Sequence, residues 1–85
     1  MPEITEFNGI HIYMYFKDHN PPHIHAEYSG KEAMFNLDGD LIEGFIPRKQ
    51  KRMVQGWVVL HEDEIYENWK TLQADGSYKK IAPLK

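Results

Sequence analysis

The sequence predicts an α+β domain: a three- or four-stranded antiparallel β-meander followed by two C-terminal α-helices packed on one sheet face. Two observations predict it. The first half of the chain alternates apolar and polar residues with the two-residue period of strands, and the second half switches to the spacing of amphipathic helices. Turn signals at Ser29-Gly30 and Asp38-Gly39-Asp40 separate the alternating runs.

Residues 10–16 place Ile10, Ile12, Met14 and Phe16 on one face and His11, Tyr13 and Tyr15 on the other. Residues 23–28 oppose Ile24, Ala26 and Tyr28 to His23, His25 and Glu27, and residues 32–37 oppose Ala33, Phe35 and Leu37 to Glu32, Met34 and Asn36. Directly opposed residues of an antiparallel pair share a side, so matching the apolar faces sets the register. Met14 then faces Ile24 and Ile12 faces Ala26, while Tyr15 meets His23, Tyr13 meets His25 and His11 meets Glu27. A turn at Ser29-Gly30 pairs Ala26 with Ala33, Ile24 with Phe35, His25 with Met34 and His23 with Asn36. It also sets Glu27 against Glu32, a repulsion that a protonated His11 could relieve.

Residues 41–46 supply a short fourth strand of ambiguous register, because Leu41, Ile42, Phe45 and Ile46 do not alternate. Pro47 suits the first position of a helix. Met53, Val54, Trp57, Val58, Leu60 and His61 follow helical spacing, which Ile65, Trp69 and Leu72 continue. Glu62-Asp63-Glu64 resembles the acidic first turn of a new helix. The pattern therefore predicts helices over 48–60 and 62–73 with a bend near His61, ended by Asp75-Gly76. The tail, 77–85, is expected to pack as an extended segment through Tyr78, Ile81 and Leu84.

A chain of 85 residues is expected to form a single domain, 1–85, with a core of modest size. Its 41% hydrophobic and 13% aromatic content argues against disorder. The absence of cysteine excludes disulfides and thiolate sites and fits a reducing, cytoplasmic setting. No apolar stretch approaches the roughly 20 residues that cross a bilayer, and the N-terminal sequence lacks the features of a signal peptide, so no membrane partner is expected. A net charge of −3 argues against bulk attraction to nucleic acid. Arg48, Lys49, Lys51 and Arg52 nevertheless cluster, so a local basic patch can exist on an acidic protein.

The run Asp18-His19-Asn20-Pro21-Pro22-His23-Ile24-His25-Ala26-Glu27-Tyr28 holds three of the five histidines. A strand starting after the two prolines puts His23, His25 and Glu27 on one face. His23 and His25 could ligate a divalent metal such as Zn, with His11, Asp18 or Glu27 completing the set. They could equally act as general acid and base on a phosphodiester, as in a ribonuclease-type toxin. Tyr13 and Tyr15 would then stack bases, and Arg48, Lys49 and Arg52 would hold phosphate, which makes RNA a candidate partner. The plain alternative is a hydrogen-bonded polar sheet face. Cations at a helix start oppose its dipole, a conflict that nucleic acid or an acidic partner would compensate; a solvated helix face is the simpler account. A second apolar stripe on the helices would be a partner or homodimer surface. Whether the chain is an enzyme stays open at this level.

Met1-Pro2-Glu3-Ile4, Gly9-Ile10, Met14-Tyr15-Phe16, the whole run from Asp18 to Tyr28, and Glu32-Ala33 resemble the small bacterial domain of unknown function 4160 family. Trp57, Leu60-His61, Glu64 and Asn68-Trp69 fit the same pattern, so the likeness covers nearly the whole chain. The resemblance implies a short bacterial cytoplasmic protein encoded beside another small domain of unknown function. That arrangement is similar to a toxin–antitoxin pair. It implies no particular reaction. It favours a protein-interaction module whose partner is the small neighbour-encoded protein, and it points to Asp18, His19, His23, His25 and Glu27 as positions to test.

Overall fold

A computed structural model describes residues 2–84 of the chain; Met1, and Lys85 at the end of the 77–85 tail, lie outside them. Five strands, β1 (Glu3–Phe7), β2 (Ile10–Tyr13), β3 (His23–Tyr28), β4 (Lys31–Asn36) and β5 (Leu41–Gly44), form one antiparallel sheet in chain order. Two helices, α1 (Arg48–Leu60) and α2 (Glu62–Ala74), follow.

The sheet thus has five strands rather than three or four. The additional one is β1, whose alternation is broken by a register shift between Glu3 and Thr5 that leaves both Ile4 and Thr5 buried. Its turn was present in the sequence as Asn8-Gly9. Both residues have positive φ, 50° and 78°, as a two-residue hairpin turn of type I′ requires. Ser29-Gly30 makes the corresponding turn between β3 and β4, with φ of 51° and 80°.

The ladders carry the expected pairs His11–Glu27, Ile12–Ala26 and Tyr13–His25 between β2 and β3. Between β3 and β4 they carry His23–Asn36, Ile24–Phe35, His25–Met34, Ala26–Ala33 and Glu27–Glu32. Ladder pairing with β3 stops at Tyr13, so Met14 and Tyr15 are not ladder partners of Ile24 and His23. The chain turns at Lys17, where φ is 55°, into the loop that carries Asp18. Phe16 leaves the apolar face it was expected to share and is 52% exposed, lying against Gly76 just beyond α2.

Helix boundaries fall where the sequence puts them, with α2 extended by one residue. Pro47 caps α1 rather than opening it. His61 serves both helices: its N–H bonds the Trp57 carbonyl, and its own carbonyl accepts the Ile65 N–H. Val54, Trp57, Val58, Ile65, Trp69 and Leu72 are buried in one cluster with Ile4, Ile10, Ile12, Ile24, Ala26, Ala33 and Phe35 of the sheet. Leu60 does not join the buried stripe; it is exposed at the end of α1. No helix among the described residues is long and apolar enough to cross a membrane.

The tail is pinned from both sides. The Trp57 indole N–H donates to the Ala82 carbonyl (2.8 Å), and buried Asn68 clamps Lys79 by donating to its carbonyl (2.8 Å) and accepting its N–H (2.9 Å). Ile81 is buried and its N–H bonds the Ile4 carbonyl at 3.1 Å. Leu84 packs against the core, whereas Tyr78, expected to do so, is 40% exposed.

Gly44 and Gly56 make opposite predictions for one substitution. Gly44 has φ of 84°, and a Cβ there would stand 2.3 Å from the Glu32 carbonyl oxygen, whereas a Cβ on Gly56 in α1 meets nothing within 4 Å. Gly44→Ala should destabilise the fold by about 2 kcal/mol or more. Gly56→Ala should stabilise it by about 0.5–1 kcal/mol. Urea denaturation of both variants measures the two signs.

Candidate functional site

The histidine run is organised by one carboxylate. Pro21 and Pro22 turn the chain between Asp18 and β3, and the Asn20–Pro21 bond is cis. This return lays Asp18 over the start of β3. Its Oδ2 lies 2.9 Å from His23 Nε2 and 3.1 Å from His25 Nε2, while its Oδ1 accepts the His19 backbone N–H at 2.8 Å. His23 is fully buried and His25 is 9% exposed. The two rings meet edge-on at 5.0 Å, as residues two apart on a strand can. Trp69 of α2 packs on His23 with centroids 5.2 Å apart, and Tyr15 covers His25 at 4.3 Å.

Hydrogen-bond bookkeeping constrains the protons. The Pro21 carbonyl can only accept, so His23 Nδ1, 2.7 Å away, must donate to it. His23 Nε2 then faces a carboxylate and needs a proton or a metal ion between them. His25 donates from Nε2 to the same oxygen, leaving Nδ1 buried without a partner; the nearest carboxylate oxygen is Glu32 Oε1 at 3.8 Å. Burial pushes the Asp18 carboxyl up. The hydrogen bond from His25, the His19 N–H and the charges of His23 and His25 outweigh that burial and hold it below the ordinary aspartate value.

The other metal candidates lie elsewhere on the same sheet face. Glu27 turns to its own hairpin, accepting the Gly30 N–H at 3.0 Å. His11 joins Glu3 (2.7 Å) and Glu6 (3.9 Å) in a second, shallower cluster. Asp18 is therefore the group brought beside His23 and His25. Its signal in the sequence was a carboxylate five residues before His23 with a double proline between. Glu32 and Trp69 were unsignalled, because only the cross-strand pairing and the packing of α2 bring them near. A catalytic role for His23 and His25 on an outside substrate would require the 17–22 loop to lift, since both Nε2 atoms point at Asp18 beneath it.

The proposed nucleic-acid contacts divide between two places. Tyr13 and Tyr15 stay with the histidines, Tyr13 stacked beside His11 and Tyr15 over His25. Arg48, Lys49 and Arg52 surround a hollow of about 520 Å³ at the start of α1, together with Met53. Beside it, Leu41, Phe45, Ile46, Arg48 and Lys51 line a second hollow of about 260 Å³ along β5. Every residue of β5 is exposed, with Ile42 at 43%, and Phe45 just beyond it is 62% exposed. α1 begins with no side-chain cap and no acidic residue in its first turn.

A family model described as a domain of unknown function (DUF4160) matches residues 9–70. The chain belongs to that family. The match runs from the first turn through β2–β5 and α1 into α2, and so includes the whole histidine run. No match was found among curated proteins or solved structures.

His11 offers a pH test of the shallower cluster. Its hydrogen bond to Glu3 raises it above the ordinary histidine value against a smaller opposing effect of burial, and the charges of Glu6, Glu3 and Glu27 add to the rise. A histidine raised on folding stabilises the fold fully below its unfolded value near about 6.5, and that contribution fades as pH rises through the higher folded value. NMR titration should place His11 above 6.5, and Glu3→Gln should bring it back toward that value and flatten the loss of stability over the same window.

Proposed function

We propose that this domain is a protein-interaction module, one half of a bacterial two-gene, toxin–antitoxin-like pair, and that it takes its partner along β5. The carrying observation is the difference between the two sheet edges. An unpaired strand edge is a template for another strand, and proteins usually blunt it. The β1 edge is occupied by the tail, through Ile81 N–H to the Ile4 carbonyl and Lys80 Nζ to the Glu3 carbonyl at 2.7 Å. Among the described residues no strand pairs with the outer edge of β5, which exposes Leu41, Ile42 and Glu43 and is continuous with exposed Phe45.

Charge selects the occupant. Arg48, Lys49, Lys51 and Arg52 stand beside this edge at the positive end of α1. An extended segment carrying acidic and apolar residues satisfies the backbone of β5, fills the hollow at Phe45 and neutralises the cations together. An acidic partner segment is therefore the occupant proposed. The neighbour-encoded small protein suggested by the family resemblance is the candidate.

Co-expression of the tagged domain with its neighbouring gene product, followed by titration of the purified pair, tests this. A complex should form in which amides of 41–45 gain protection from hydrogen exchange. Phe45→Glu and the double variant Arg48→Glu/Arg52→Glu should each weaken binding by about 30-fold or more, while Lys70→Glu on α2 should not. A monomeric, partner-free domain, or binding indifferent to the β5 variants, would overturn the reading.

A further inference from the structure

We propose that Asp18, His23 and His25 form a closed binding site for a divalent transition metal of the zinc class, through Asp18 Oδ2, His23 Nε2 and His25 Nε2. Three ligand atoms lie within 4.8 Å of one another. Tetrahedral ligands at bond lengths of about 2.0–2.1 Å sit about 3.3 Å apart. The separations of 2.9 and 3.1 Å from the carboxylate to the two nitrogens are already close to that figure. The two carboxylate-to-nitrogen separations therefore need to open by only a few tenths of an ångström for a metal ion to replace the protons between them.

The surroundings fit ligands rather than a simple ion pair. Metal-bound histidines usually donate their second N–H to a carbonyl or carboxylate, which fixes the tautomer. His23 Nδ1 already does so to Pro21, leaving Nε2 as the ligating nitrogen. The His19 N–H holds Asp18 so that Oδ2 faces the histidines. The buried, unpartnered Nδ1 of His25 is the independent sign. On metal binding the His25 proton moves from Nε2 to Nδ1, where Glu32 can close from 3.8 Å to accept it. The proton between His23 and Asp18 leaves to solvent. Water completes four-coordination.

The site is independent of the β5 edge, and its test involves no partner. Tag-free protein stripped of metal should bind Zn²⁺ one-to-one in calorimetry, and Co²⁺ should give the intense visible bands of a tetrahedral site. Nitrogen shifts in the imidazole NMR spectrum should move for His23 and His25 on adding Zn²⁺, and not for His11 or His61. Asp18→Asn, checked for folding by circular dichroism, should weaken binding at least about 100-fold. Glu32→Gln should weaken it about tenfold, as loss of an outer partner does. Sub-stoichiometric binding, or shifts centred on His11 beside Glu3 and Glu6, would overturn the proposal; the wild-type spectrum decides it even if Asp18→Asn does not fold.

Discussion

A sheet covered by helices on one side has two unlike faces, and each residue's parity chooses between them. Ile10, Ile12, Ile24, Ala26, Ala33 and Phe35 take the covered face and meet Trp57, Val58 and Ile65. His11, Tyr13, His25 and Glu32 are thereby committed to the other face. A slip of one residue in β3 would put His25 into the apolar core and Ile24 into water. The same alternation that builds the core therefore gathers the ionisable groups, with no separate instruction for the site.

That gathering is incomplete without the loop after β2. On strands alone, His23 and His25 would sit on an open surface. The return through Pro21 and Pro22 adds Asp18, and Tyr15 and Trp69 close the sides. The result is a largely buried arrangement in which one carboxylate meets two imidazoles. The edge proposed for a partner lies two strands away, at β5, whose residues are all exposed.

Legibility followed the range of the forces involved. Alternation and helical spacing are local, so the registers of β2–β3 and β3–β4 and the break at His61 could be read directly. β1 was missed because its bulge hides the alternation, although Asn8-Gly9 announced the turn. Phe16, Leu60 and Tyr78 were misplaced because periodicity cannot say where an element stops meeting the core. In the site, the closeness of His23 and His25 was readable from spacing. The choice of Asp18 over Glu27 and His11 was not, since it depends on a loop path. The contrast between the two edges was unreadable too, because it rests on Ile81 reaching Ile4 across nearly the whole chain.

The contact between Ile81 and Ile4 also orders events in time. A ribosome releases the chain from its N-terminus, and domains assemble as their parts emerge. The five strands can pair once Gly44 is out, for all their ladders join neighbours in sequence. Their apolar face stays wet until α1 and α2 arrive, and β1 keeps a free flank until the tail follows. The nascent sheet is therefore open at both ends, and the finished one at β5 alone. During that interval β1 is as able to recruit a foreign strand as β5 is afterwards, which makes Lys80 and Ile81 a guard against misassembly.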